Sequence, residues 1–448
     1  MKKDLENISI TDNLILLIIV LIGFQQFPVI RIGGSFKLYE LAALALLVID
    51  FVYLKHFKFN SYTSIIAFGF FVLSPLLSYL YSVFFLGYPA GFYLNYPDAD
   101  SFKFNYYVFP LLQLLYMFFN FAAINGIIGA GFIYKNFDKV AKYIIITGTL
   151  ISIYSLIAMS TVDIIGKLPQ FIQNKSDFRF RSSGLSQEPS FYVLYQTWVC
   201  LFAVYSKHLF KKNIWRLILL INILSLLTTF STTLVSLLAI IILSAFFQKN
   251  SLKTRFAILF LTGIFIVAII SAAFYFDLND LLNGFFLNKI QNFFTSPNHT
   301  LDSGGFRSYT TGIGIKIFLS HPLTGVGVGN SVYYMYLFEN KMGIISFGET
   351  LQPGSFPQNL FSIVLSEQGL IGGLLLVGFL LSCLRKFWHY RNYSKYNNMF
   401  LIGILFNITA MLSIAPQYSL FIWVFFALGL GYIKHINMGK VQNGGQRN

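Results

Sequence analysis

The apolar residues of this chain fall in long runs, broken by short polar connections. A hydrocarbon core about 30 Å thick takes roughly 20 apolar residues per helix. About twelve runs approach that length: 12–30, 36–54, 62–85, 105–133, 139–161, 189–206, 213–229, 231–247, 255–275, 357–384, 398–414 and 416–433. The fourth is long enough to tilt or to break near Asn125-Gly126. Period-two alternation is absent, which argues against an outer-membrane barrel. The pattern predicts an all-α polytopic membrane protein. Nine spans lie in 1–275, a large polar loop fills 276–356, three further spans fill 357–433, and 434–448 forms a tail.

Composition agrees, because 56% of the 448 residues are hydrophobic and only 11% are charged, unlike a soluble globular domain. The net charge of +15 would suit a nucleic-acid partner, but its distribution argues against one. With the N-terminus inside, Lys55, Lys58, Lys135, Lys139, Lys142, Lys207, Lys211, Lys212, Arg385, Lys386, Arg391 and Lys395 all face the cytoplasm, while the outer segments keep few cations. This positive-inside bias places both termini in the cytoplasm and makes most of the charge topological. Cys200 and Cys383 lie within predicted spans and read as small core residues. The six histidines are scattered, so no metal ligand set is indicated and no cofactor is expected.

Ionisable residues within spans are functional candidates by default. Glu40 and Asp50 nevertheless lie near opposite ends of their span, which predicts that both reach the interface. The outward loop 86–104 is rich in Tyr and Phe and carries Asp98 and Asp100, and it reads as an aromatic belt. The outward loop 162–188 contains Arg179, Arg181, Gly184 and Glu188, with Pro189 suited to the first position of the next helix. Arg181 and Glu188 can pair, or contact lipid headgroups, if they have no other task. The hydroxyls of Thr228, Thr229, Ser231, Thr232 and Thr233 suit broken helical backbone at an outer turn.

Within the insert, Phe306, Tyr309, Ile313 and Ile317 recur at helical spacing over 305–320, predicting a helix on the bundle or in the interface, with Arg307 at its start. His321-Pro322 ends it, and Gly325, Gly327 and Gly329 let the backbone approach a ligand closely. Gln358, Ser362, Leu365, Gly369 and Gly372 share one helix face, where the glycines suit close helix packing. Glu367 projects away from that face and reads as a packing or rim carboxylate.

Thr324-Gly-Val-Gly-Val-Gly-Asn330, followed by Gln358-Asn359, Gly369 and Gly372, resembles the shared region of O-antigen ligases and Wzy-type O-antigen polymerases. The resemblance covers roughly 180–375. It implies a GT-C-like membrane glycosyltransferase, with its active site on the periplasmic side of the bacterial cytoplasmic membrane. The implied substrate is an undecaprenyl-pyrophosphate-linked oligosaccharide, and the implied companions are membrane lipids, a chain-length regulator and a flippase. On this resemblance Arg181 and Arg307 contact pyrophosphate with support from Arg179, while Gly325, Gly327, Asn330, Gln358 and Asn359 line the substrate site. Glu188 and His321 are the candidate bases. Ligases of the superfamily usually carry a histidine where this chain has Gln358, which cannot take a proton, and that substitution favours a polymerase. A flippase would show internal repeats and mid-membrane charges, whereas no repeat relates the two halves and the arginines sit in outer loops.

Overall fold

A computed structural model describes residues 10–25, 29–31, 35–53, 62–86, 108–160, 182–186, 188–229, 231, 233–234, 303–341, 356–415 and 418–444. In chain order these form α1 (Ile10–Leu21), a hairpin of β1 (Val29–Arg31) and β2 (Ser35–Lys37), α2 (Leu38–Tyr53), α3 (Tyr62–Leu86), α4 (Val108–Gly129), α5 (Gly131–Lys135), α6 (Phe137–Ser160), α7 (Pro189–Tyr205) and α8 (Lys212–Leu227). The insert supplies α9 (Ser303–Ser320) and α10 (Ser331–Lys341), and the chain ends in α11 (Leu360–Tyr390), α12 (Lys395–Ala410) and α13 (Leu420–Gly444). Among the described residues, α3, α4, residues 137–158 of α6, and α11 are long and apolar enough to cross a membrane. The eighth and ninth predicted runs fall almost wholly outside the described residues, as do Asp98, Asp100, Arg179 and Arg181.

Several boundaries differ from the sequence pattern. The first run extends to residue 30, but α1 stops at Leu21 and the chain turns into the antiparallel hairpin, which pairs Val29 with Lys37. Helix α4 continues through Asn125-Gly126 and ends only at Gly129. The break falls at Ala130, whose backbone leaves the helical region (φ −75°, ψ 82°). Two segments of α3, Gly69–Leu73 and Ser82–Leu86, are wound as π-helix.

Glu40, expected at the interface, is closed to solvent. Both its carboxylate oxygens are bonded by Lys37, one by Nζ and the other by the backbone amide, each at 2.9 Å. The buried carboxylate takes its counter-charge from the hairpin beside it.

The main core gathers large aromatics: Trp198 stacks on Phe425 with centroids 4.6 Å apart, and Trp423 packs edge-on against Phe71 at 5.0 Å. Lipid is as apolar as a side chain, so helices in a membrane associate through close fit, and small residues allow it. Gly148 receives Val199, and Gly403 lies against the Trp198 ring. A second, smaller core belongs to the insert: Ile313, Ile317, Val326, Tyr333 and Met335 pack together, flanked by Leu86 and Phe109 from the facing ends of α3 and α4. That core seats the insert on the bundle.

Candidate functional site

The arginine-bearing corner begins at Glu188-Pro189. A residue before proline is pushed to extended backbone, and Glu188 is extended (φ −130°, ψ 148°), with Pro189 opening α7. Its carboxylate makes no capping bond to α7 and reaches outward instead. Arg307, in the second turn of α9, meets it: Nη2 donates to Glu188 Oε2 at 3.2 Å and to Ser190 Oγ at 3.4 Å, while Nη1 donates to the Ser413 carbonyl at 2.8 Å. Ser190 Oγ also donates to Glu188 Oε2, at 3.0 Å. Burial pulls the guanidinium below its ordinary value and the Glu188 carboxylate pushes it back up; an arginine remains charged at any physiological pH.

The pair is half-open to solvent, with side-chain exposures of 20% for Arg307 and 39% for Glu188. Its contribution to stability is correspondingly screened. Among the described residues, Glu188 Oε2 takes all these bonds and Oε1 takes none. A guanidinium has five N–H bonds, and the contacts named leave some of them for a ligand.

Helix α11 is broken. Gly369 has φ +63° and ψ −159°, a conformation closed to ordinary L-residues, so the helix splits there. A break inside a membrane strands carbonyls above it and amides below it, and these must find partners within the protein. The glycine-rich turn after α9 supplies them. Val326 and Gly327 donate their amides to the Ser366 and Glu367 carbonyls at 2.9 and 3.0 Å, while the Leu370 and Ile371 amides donate to the Pro322 and Leu323 carbonyls at 2.8 and 3.3 Å.

Contact of backbone on backbone leaves no room for a Cβ at Gly325 or Gly369, each of which would collide with main-chain atoms of the other strand. What Gly325 and Gly327 approach in this structure is the broken helix. Gln358 precedes α11, which starts at Leu360, and the helix that carries Ser362 is interrupted at Gly369.

Glu367, which the sequence pattern turns away from the site, is buried at the centre of this clasp. Ser331 Oγ donates to its Oε1 at 2.7 Å, and the Tyr418 hydroxyl donates to its Oε2. Ser78 Oγ donates to its main-chain carbonyl. The signal was present in the sequence: Ser-Glu-Gln-Gly, with a carboxylate and an amide directly before a glycine, is an odd interruption of an apolar run.

The other candidates occupy defined places. Asn359 caps α11: Oδ1 accepts from the Phe361 and Ser362 amides at 2.9 and 3.2 Å, and Nδ2 donates to the Leu412 carbonyl. The Gln358 backbone donates to Thr310 Oγ1 at 3.4 Å, and its side-chain amide makes no hydrogen bond among the described residues. Asn330 is buried at the start of α10 and donates from Nδ2 to the Val326 carbonyl at 3.0 Å.

His321 ends α9, its Nδ1 lying 2.8 Å from Ser320 Oγ. Burial lowers its imidazole from the ordinary value, against a backbone contact from Ile317 that raises it. Glu188, Arg307, Asn359 and the connection after α12 are therefore joined directly by hydrogen bonds, whereas His321 lies at the opposite end of α9 from Arg307. Among the described residues no group of three His, Cys, Asp or Glu side chains is placed to hold a metal ion.

Residues 217–377 match a family model described as O-antigen ligase. The matched stretch holds α9, the glycine turn, α10 and the broken part of α11. This stretch is similar to the O-antigen ligase and polymerase superfamily, which the match supports for the chain. Its members are membrane-associated, glycosyltransferase-like enzymes of surface-polysaccharide synthesis, acting on lipid-linked saccharides. Glu188 lies outside the match, yet it is the carboxylate that engages the family segment's Arg307. Among curated proteins, none matches the chain.

Proposed function

We propose that the chain is an O-antigen polymerase, moving a glycan from undecaprenyl pyrophosphate onto a sugar hydroxyl of another lipid-linked repeat unit. The reading places the reaction at the outer face of the bacterial cytoplasmic membrane, in a GT-C-like helical frame with both termini inside. The observation that carries it is the Arg307–Glu188 pair: one guanidinium with N–H bonds to spare, beside a half-exposed carboxylate with one oxygen uncommitted among the described residues.

In this mechanism the acceptor hydroxyl oxygen attacks the anomeric carbon and a C–O bond forms. The bond from that carbon to the pyrophosphate oxygen breaks, and its electron pair leaves with the pyrophosphate. The hydroxyl proton passes to Glu188 Oε1. Arg307 stabilises the charge that grows on the leaving group, an interaction stronger in the transition state than before it. Arg181 and Arg179, from the loop before Glu188, would grip the same diphosphate from the other side. Gln358 offers an amide to sugar or phosphate oxygens at the N-terminal end of α11. No nucleotide is needed, since the pyrophosphate itself is the activated leaving group. The reading implies a flippase that delivers the lipid-linked unit and a regulator of chain length.

Gln358 in the position of the ligase histidine favours polymerase, while the description of the matched family favours transfer to lipid A-core. Deleting the gene and resolving surface polysaccharide on gels separates the two. A core bearing one repeat unit with the ladder lost indicates a polymerase, and a core bearing none indicates a ligase. An unchanged ladder removes both readings.

A further inference from the structure

The turn between α12 and α13 touches the site at one end and the clasp at the other. At its start, the Met411 and Ile414 carbonyls both accept from the Leu360 amide at 3.1 Å, the Leu412 carbonyl accepts from Asn359, and the Ser413 carbonyl holds Arg307 Nη1 at 2.8 Å. At its end, the Tyr418 hydroxyl accepts from the Gly329 amide at 3.2 Å and donates to Glu367 Oε2.

Glu367 is 1% exposed, and no cation pairs with it among the described residues; hydroxyls and amides alone surround its carboxylate. Burying a carboxylate without a counter-charge is expensive and calls for a task. Capping α10 through Ser331 is one such task, but it leaves the bond to Tyr418 unexplained.

We propose that Glu367 and Tyr418 are positioning residues for Arg307, acting through the turn that joins α12 to α13. Tyr418 fastens the end of that turn to the broken helix, and Glu367 fixes the direction of the Tyr418 hydroxyl. The start of the turn then presents the Ser413 carbonyl to Arg307 and the Leu412 carbonyl to Asn359. One guanidinium nitrogen is thereby fixed by backbone and the other by Glu188, so the remaining N–H bonds point in one direction. The task assigned to Arg307 rests on the function proposed above, while the linkage itself rests on the hydrogen bonds.

The test is a double-mutant cycle on the full chain in detergent micelles, with farnesyl pyrophosphate as the probe and its dissociation constant as the readout. Arg307→Ala should weaken binding by more than tenfold, and Tyr418→Phe by about fivefold. In the Arg307→Ala background, Tyr418→Phe should change nothing further, because its effect passes through Arg307. Glu367→Gln should match Tyr418→Phe, and the two together should be no worse than either alone.

Wild-type binding by Tyr418→Phe while Arg307→Ala is impaired overturns the linkage, as does a further loss from Tyr418→Phe in the Arg307→Ala background. Wild-type binding by Arg307→Ala overturns the function assigned to Arg307 instead. If Glu367→Gln does not fold, Tyr418→Phe decides alone.

Discussion

Glu188 and Glu367 are both partly or wholly withdrawn from water, and the protein treats them in opposite ways. Glu188 faces a guanidinium, keeps more than a third of its side chain exposed, and commits one oxygen of two among the described residues. Glu367 faces only hydroxyls and amides, is closed to solvent, and has both oxygens engaged. On the proposed function Glu188 meets a substrate, and it stays at the rim, where water and a fixed cation share the cost of its desolvation. A carboxylate that serves as a fastener can be sealed in, provided enough donors converge on it.

The largest effect should come from breaking the rim pair. Arg307→Ala should abolish the polysaccharide ladder, with transfer falling roughly a hundredfold or more and membrane levels unchanged by immunoblot. Arg307→Lys should recover little, because an ammonium cannot address two directions as a planar fork does. A full ladder from either variant would assign the chemistry elsewhere.

Next should come the clasp. Gly369→Ala forces a side chain into positive φ and onto the Leu323 carbonyl. The conformation alone, essentially confined to glycine, costs about 1–3 kcal/mol, and the collision adds to it. The variant should lose several degrees of melting temperature in detergent and much of its activity. If it melts with the wild type, the break is not held as described.

Glu188→Gln sharpens the contrast, because the amide oxygen can still accept from Arg307 while proton acceptance is lost. Transfer should drop about tenfold to a hundredfold, with pyrophosphate binding nearly intact. Equal losses in binding and transfer would make Glu188 a holder of Arg307 only. Asn359→Ala removes an N-cap and should cost about 1 kcal/mol of stability, read as a small shift in thermal unfolding.

Much of this architecture was legible in the chain. The helices at 62–86, 137–160, 189–205 and 212–227 follow their apolar runs closely, and the first two have the length that bilayer thickness imposes and a hydropathy pattern records directly. Pro189 and His321-Pro322 marked a helix start and a helix end by local sterics. Arg307 also stands out in the sequence, as a cation in an apolar chain. What escaped was tertiary: no local pattern says that Arg307 pairs with Glu188, 119 positions away, or that Glu367 turns inward. The glycines announced a close approach without naming what would approach. Here it is the broken α11, whose own break rests on a single residue at positive φ.

His321 gives the smallest and most discriminating effect. Burial holds its imidazole below the ordinary histidine value, so the folded protein keeps the ring neutral into mildly acidic pH. The unfolded chain binds a proton at pH values where the folded chain does not, so stability rises with pH across that interval and falls as the medium is acidified below about 6.5. The loss is complete below the folded value. His321→Gln should remove that acid-side slope and leave the melting temperature at pH 8 nearly unchanged. If Glu188 accepts the proton, the same variant should leave the pH profile of glycan transfer between 7 and 8 where it was. Loss of transfer at pH 8 with normal folding would instead move the base from the rim pair to the far end of α9.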